Sequence, residues 1–264
     1  MKPFATFKHI SSKNTNYGDA EKYLTFAHDE FTIKPTLDTD GRLVPREDYR
    51  ISTLNCGEED FAVACMRSNL RYGKNQKRED VKSHHYIISF DPRDGPDNGL
   101  TVDKAQELGE RFCREQFPGH QAIVCTHPDG HNQSGNIHVH IAINSLRIEN
   151  VLLPYMDRPA DTKAGCKHRC TDAAMEYFKS EVMELCHEAG LYQIDFLNGS
   201  ANRVMRIISV PSWSRSSGCP AKPQSADTRS VWHRLKSGWE SLTVCLSAFM
   251  RPMWLSASQM KGSL

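Results

Sequence analysis

The chain lacks the features that mark secreted and membrane proteins. Its nine cysteines are odd in number and scattered without paired spacing, and we find no signal peptide. Such a set indicates reduced thiols rather than a disulfide framework. The apolar stretch near 241–255 is interrupted by Arg251 and Pro252, and it is too short to span a bilayer. We therefore expect a cytoplasmic protein that does not insert into a membrane.

Tryptophan is missing from the first 205 residues, and tyrosine is missing from the rest. Residues 206–264 hold eight lysines and arginines against two acidic residues, a net charge of +6, so residues 1–205 carry −5 of the overall +1. We predict a folded domain at 1–205 and an atypical basic tail, rich in serine and tryptophan, at 206–264. We expect this tail to be disordered. It is either the product of a coding frame shifted near Val204 or a basic extension that binds DNA.

Strand and helix signals alternate within residues 1–205. Apolar and β-branched runs predict strands at 4–10, 50–55, 84–90, 121–127 and 136–147. Helical spacing predicts helices at about 18–28, 59–72, 102–117 and 171–189. The last of these carries a stripe typical of core packing, at Ala174, Phe178, Val182 and Leu185. The mixture favours an α+β fold, an antiparallel β-sheet with helices packed on its faces.

The most informative segment is a strand with one apolar face and one face that carries imidazoles. From Asn136 to Asn144, isoleucines and a valine alternate with His138, His140, an alanine and an asparagine. Strand side chains alternate between faces, so the two histidines point the same way. His127 ends the preceding apolar run, and pairing of the two runs would bring all three imidazoles to one ion. Three neutral imidazoles form a divalent-metal site with open positions; histidines that merely face water are the alternative.

Three motifs together resemble a known enzyme family. His-x-Asp at 127–129, followed by His-x-His at 138–140, resembles the third motif of conjugative relaxases, the MobP-like mobilization nucleases of the HUH endonuclease superfamily. The segment KHISSKNTNYGDAEKYLTFAHDE resembles their first motif, and HHYIISFDPRDG resembles the strand between them. The resemblance covers residues 4 to about 204, although the loop between Asp129 and His138 is longer than in many relatives. It implies an HUH-type sheet with a ferredoxin-like or RRM-like core.

The resemblance also implies a reaction, the nicking of origin-of-transfer DNA for conjugative mobilization. Tyr23 would be the nucleophile and would form a 5′-phosphotyrosyl intermediate, which a 3′ hydroxyl can attack later. His127, His138 and His140 would hold Mg²⁺ or Mn²⁺, which offsets charge in the transition state. The expected partners are single-stranded DNA at an origin of transfer and accessory relaxosome and coupling proteins.

Other polar residues of these motifs have open roles. Tyr17 is the rival nucleophile. It lies six residues before Tyr23 and would point about 240° away on a shared helix, unless it lies in the preceding turn. Asp129 either acts as a base or orients a histidine ring. His84 and His85 are consecutive, so only one of them can face the site.

Basic side chains predict where DNA binds. Backbone phosphates attract clusters of basic side chains, although such a cluster is at least as commonly a solvated linker. Because the domain has a net charge of −5, we expect DNA to bind in a localised basic groove and not over the whole surface. Asn144 either contacts the substrate or forms hydrogen bonds with the backbone at the end of its strand. The candidate DNA contacts are Lys13, Arg67, Arg71, Lys74, Lys77, Arg78 and Asn144.

Other assignments compete with this one. A rolling-circle replication initiator or an HUH transposase would use the same chemistry, and neighbouring genes would distinguish them. A truncated, non-catalytic DNA-binding relic would show no metal-dependent cleavage. A zinc hydrolase would need no tyrosine and would not become attached to DNA. Cys166, His168 and Cys170 lack a second ligand pair, so we expect no zinc knuckle there.

Overall fold

The computed structural model describes residues 6–29, 34–128, 135–194, 196 and 204–205. Asp129 and the predicted tail at 206–264 lie outside the described residues. Among the cysteines that are described, all seven carry free thiols. Within the same residues, no helix combines the length and apolarity needed to cross a bilayer.

Five antiparallel strands form the main sheet, and each overlaps a predicted strand. They are β1 (Thr6–Ser12), β2 (Arg50–Leu54), β3 (Ser83–Ser89), β4 (Ala122–His127) and β5 (His138–Asn144). Their order across the sheet is β1-β3-β5-β4-β2. The strand with the alternating pattern is therefore central, which is why its apolar face is completely buried. A second, two-stranded pair joins β6 (Gln193–Ile194) and β7 (Val204–Met205).

Four of the described helices occupy the predicted positions. They are α1 (Gly18–Thr25), α2 (Phe61–Tyr72), α4 (Val102–Gln116) and α5 (Asp172–Glu188). A short helix, α3 (Asp94–Asn98), and a 3₁₀ turn (Pro159–Thr162) were not predicted. Threonine side chains at 101 and 171 cap α4 and α5 by accepting backbone N–H groups, which satisfies donors that a helix start leaves unpaired.

Helices cover both faces of the sheet, and each face has its own core. On one face, Val139, Ile141 and Ile143 pack with side chains of α4 and α5. On the other, Ala142 packs with Leu24 of α1 and with side chains of α2. We call this second side, which also carries His138 and His140, the imidazole face. The predicted α+β fold, an antiparallel sheet with helices on its faces, is confirmed.

Candidate metal centre

The pairing of β4 with β5 brings three histidines together on the imidazole face. His127 lies opposite His138, and Cys125 lies opposite His140. One ring nitrogen from each of the three histidines lies within 4.8 Å of the others. Both His127 and His140 are buried, whereas His138 is half-buried. The prediction that the two strands are neighbours is confirmed.

Hydrogen bonds on the outer side of each ring decide which nitrogens remain available. His127 donates from Nε2 to the Leu24 carbonyl oxygen at 2.8 Å, and His138 Nδ1 lies 3.2 Å from the Asn136 carbonyl oxygen. His140 Nδ1 lies 2.9 Å from Nε2 of His85. A ring nitrogen bonded to a carbonyl carries the proton, which fixes the tautomer. Nδ1 of His127 and Nε2 of His138 are therefore the nitrogens on the inner side of these two rings, where they face each other.

This donor set fits a divalent metal ion. Nδ1 of His127 lies 3.3 Å from Nε2 of His138, about the separation of two nitrogens that each lie ~2.1 Å from one ion. Burial lowers the pKa of His127 to about 3 and that of His85 to about 4, and it lowers the pKa of His140 well below its usual range. His127, His140 and His85 are consequently neutral near pH 7, and neutral imidazole is the form that binds metals.

Tyr23 lies beside the three histidines. Its ring centroid is 6.1 Å from that of His140, and the two ring planes are nearly perpendicular. The next residue, Leu24, provides the carbonyl that accepts the His127 proton. Burial raises the pKa of the Tyr23 phenol, whereas the positive charge of Arg46 lowers it. Helix α1 thus brings a phenol beside the histidines, and Arg46, which lies outside the helix, adds positive charge near that phenol.

Tyr17 lies at the other end of α1, in the turn before the helix. It is buried, and its hydroxyl accepts from Asn69 Nδ2 at 2.7 Å and donates to the Lys82 carbonyl oxygen at 3.1 Å. Burial is also the largest cause that raises the pKa of this phenol. The hydroxyl of Tyr17 therefore links α2 to the start of β3.

Asn144 does not face solvent, contrary to its prediction as a DNA contact. Its side chain is fully buried, and Nδ2 donates to Gln121 Oε1 at 2.9 Å and to Ser68 Oγ at 3.3 Å. Its Oδ1 accepts from the backbone N–H of Leu146 at 3.2 Å. Helix α2 covers this end of β5, so the amide stabilises the fold and is not available to a nucleic acid.

The basic candidates are at the surface. Arg67 is exposed and forms an ion pair with Glu59 at 2.6 Å. Arg67 and Arg71 belong to α2, which packs on the imidazole face. Lys82 differs from its neighbours because it is buried and donates to two backbone carbonyls. The other exposed candidates are Lys13, Arg71, Lys74, Lys77 and Arg78.

Three residues of the centre were not identified as site residues from the sequence. His85, not His84, points to the imidazole face, and strand parity left that choice open. Arg46 and His28 lie in irregular segments that a short bridge between Phe26 and Pro45 holds together. The rings of His28 and Tyr23 are 5.0 Å apart. No periodic pattern places these two segments beside α1, so Arg46 and His28 could not be predicted as site residues.

Comparisons with known proteins agree on one family. The sequence model described as relaxase, MobA/VirD2-like, nuclease domain, matches residues 44–191, which is more than half of the chain. This span includes the three histidines but not Tyr23. Protein rlx of Staphylococcus aureus is 33% identical over 99 residues, which are 37% of this chain and 26% of that protein. The match thus spans about a quarter of the curated relative's length.

Two solved structures match this chain at lower sequence identity than Protein rlx does. One, described as the molecular basis of vancomycin resistance transfer in Staphylococcus aureus, has a TM-score of 0.42 and 12% identity, and the match covers 71% of this chain and 92% of that one. The other is the conjugative relaxase TrwC in a metal-bound complex with oriT DNA. It has a TM-score of 0.36 and 11% identity, and the match covers 72% of each chain.

Proposed function

Because the chain belongs to the MobA/VirD2-like relaxase family through its nuclease domain, we propose that it nicks one DNA strand at an origin of transfer with Tyr23 as the nucleophile. The observation that carries the proposal is the position of Tyr23, whose ring lies 6.1 Å from the ring of His140. Tyr17 has no such position, since its hydroxyl is engaged in a buried network with α2 and β3.

His127, His138 and His140 would hold the divalent ion. When bound, the ion polarises non-bridging phosphate oxygens and offsets the charge that develops during transfer. Of the two ions expected from the sequence, Mn²⁺ is the transition metal and accepts imidazole nitrogen more readily than Mg²⁺, a hard cation that usually keeps oxygen ligands and several waters.

The phenol oxygen of Tyr23 attacks the scissile phosphorus. The new bond joins this oxygen to phosphorus, the bond to the 3′ oxygen breaks, and the products are a 5′-phosphotyrosyl protein and a free 3′ hydroxyl. The phenol must first lose its proton, and we infer that His28, whose ring centroid lies 5.0 Å from that of Tyr23, accepts it. Nδ1 of His28 donates to the Phe26 carbonyl oxygen at 2.9 Å. Arg46 contributes positive charge that stabilises the phenolate.

Single-stranded DNA is the proposed substrate. Exposed arginines of α2 and lysines of the following loop offer charges to backbone phosphates, and such contacts weaken steeply as salt increases. α2 lies on the same side of the sheet as the histidines, so a strand bound there runs toward Tyr23. Three further points stay predictions: the role of Asp129 as a base or as an orienting residue, the tail as a separate region, and the accessory relaxosome and coupling proteins.

A covalent-adduct assay tests the proposal. The protein is incubated with Mn²⁺ and a labelled oligonucleotide that contains the nick site of its own element, and it is then denatured. We expect a labelled protein band that disappears with EDTA and with Tyr23→Phe. Tyr17→Phe is the matched control and should keep the adduct.

An undiminished adduct in Tyr23→Phe would contradict the assignment of the nucleophile. Binding of the oligonucleotide without any metal-dependent cleavage would instead support the non-catalytic DNA-binding alternative. A rolling-circle initiator or transposase would form the same adduct, and the neighbouring genes distinguish those enzymes from a relaxase.

A further inference from the structure

The three histidines differ in what holds their outer nitrogens. His127 and His138 contact backbone carbonyls, those of Leu24 and Asn136. His140 is held instead by a side chain, because its Nδ1 lies 2.9 Å from Nε2 of His85. A backbone carbonyl remains present when the side chain of its residue is substituted. The orientation of His140 is therefore open to a side-chain change at position 85.

We propose that His85 is a positioning residue of the metal centre, which accepts the Nδ1 proton of His140 and so holds Nε2 of His140 toward the shared ion. This inference rests on the proposed metal site. Partners of this kind fix the tautomer and the ring angle of a metal-binding histidine. Carboxylates and carbonyls usually do so; in this chain the partner is a second imidazole.

The register of β3 and β5 explains why the partner comes from position 85. His85 pairs with Ala142, and Ile87 pairs with His140. In an antiparallel pair, residues two positions apart on neighbouring strands are diagonal neighbours within reach of long side chains. The imidazoles of His85 and His140 lie on the same side of the sheet, with ring centroids 5.0 Å apart.

His84 supplies a matched control one residue away. Its side chain points to the opposite side of the sheet, where Nδ1 lies 2.9 Å from Nε2 of His9. A leucine at either position removes one imidazole and one histidine–histidine hydrogen bond from the same strand. Only the change at position 85 removes a partner of a proposed metal ligand.

Metal affinity without DNA is the first measurement. Mn²⁺ is titrated calorimetrically into the full chain and its variants His85→Leu, His85→Gln and His84→Leu. Loss of an outer partner typically weakens metal binding by about 10- to 100-fold, and we expect this for His85→Leu. The amide oxygen of glutamine can accept the same proton, so His85→Gln should recover most of the affinity, and His84→Leu should retain it.

The absorption spectrum of bound Co²⁺ is the second measurement, because it reports ligand number and geometry and does not depend on folding stability. At saturating Co²⁺, His85→Leu should give a spectrum that differs from the parent's, whereas His85→Gln should restore the parent's spectrum.

Three results would overturn the inference: His85→Leu binding Mn²⁺ as tightly as the parent, His85→Gln binding as weakly as His85→Leu, or His84→Leu weakening binding equally. A parent chain that binds no Mn²⁺ would overturn it as well. If the parent binds Mn²⁺ and follows the expected pattern but forms no adduct with DNA, only the proposed nicking function fails.

Discussion

At the scale of single residues, two tyrosines six positions apart have different neighbours within one core cluster. The hydroxyl of Tyr17 is engaged in a buried network, whereas Tyr23 lies against the ring of His140. The sequence favoured Tyr23 through the family resemblance and left Tyr17 as its rival. The neighbours of the two tyrosines differ because α1 begins after Tyr17, which lies in the turn before the helix rather than on it.

We expect Tyr17→Phe to lower the free energy of unfolding by about 1–3 kcal/mol, the usual cost of leaving buried polar groups without a partner. Asn69 Nδ2 and the Lys82 carbonyl oxygen would lose the hydroxyl they now contact. Urea denaturation measures the change. Adduct formation by the folded fraction should persist, and its loss without a change in stability would assign Tyr17 a role in the reaction.

The residues of the site could be predicted only where a periodic sequence pattern determines which way their side chains point. The histidines at 127, 138 and 140 were predicted as ligands because strand alternation fixes the face of each side chain. The same alternation placed Asn144 on that face, but parity does not reveal that α2 covers this end of the strand. The contact of the Leu24 carbonyl with His127 could not be predicted, because every residue has a backbone carbonyl.

At the scale of elements, α4 and β5 approach so closely that only a glycine fits between them. A Cβ atom on Gly109 would lie 2.4 Å from Cγ1 of Val139. Val139 is central in the sheet and completely buried, so it has nowhere to move. The close approach brings the helix onto the strand whose opposite face carries the histidines.

We expect Gly109→Ala to destabilise the fold by about 1–3 kcal/mol through overpacking, although alanine is favoured over glycine in helices by about 1 kcal/mol. Thermal unfolding measures the change. Glu107→Ala, at an exposed position of the same helix, is the control and should unfold near the parent's temperature. A stabilised Gly109→Ala would show that α4 packs farther from the sheet.

Element positions were predicted well, but their arrangement in space was not. Each strand of the main sheet overlaps a predicted strand, because each has a continuous or alternating apolar run. The short α3 carries no periodic signal over its five residues. The place of β2 at the sheet edge beside β4 depends on contacts between residues far apart in the chain, which local patterns do not encode.

At the scale of the whole molecule, the fold buries an unusual number of neutral histidines. Burial lowers the pKa of His84, His120 and His127 to about 3, and that of His9 and His85 to about 4. In the unfolded chain these groups titrate near their ordinary value of ~6.5. Below that pH the unfolded chain binds protons that the folded chain does not.

Stability should therefore be greatest above about pH 6.5 and should fall as the pH decreases toward about 4. At pH 5 the loss is about 2 kcal/mol for each fully buried histidine, such as His120. Urea denaturation at pH 7 and pH 5 measures it. His120→Gln should reduce the proton uptake on unfolding by about one, and equal stability at the two pH values would contradict the burial of these rings as neutral groups.

The bond between His127 and the Leu24 carbonyl restricts how this position can change over time. Aspartate or glutamate would satisfy many divalent ions, so drift toward a mixed nitrogen and oxygen set is chemically open. An ionised carboxylate, however, cannot donate a hydrogen bond, so the Leu24 carbonyl oxygen would lose its 2.8 Å donor and retain the weaker contact from Cys125 Sγ at 3.9 Å. A carboxylate at residue 127 therefore requires a new hydrogen-bond donor to the Leu24 carbonyl oxygen. A protein engineer who wishes to change the metal preference would have to introduce both substitutions together.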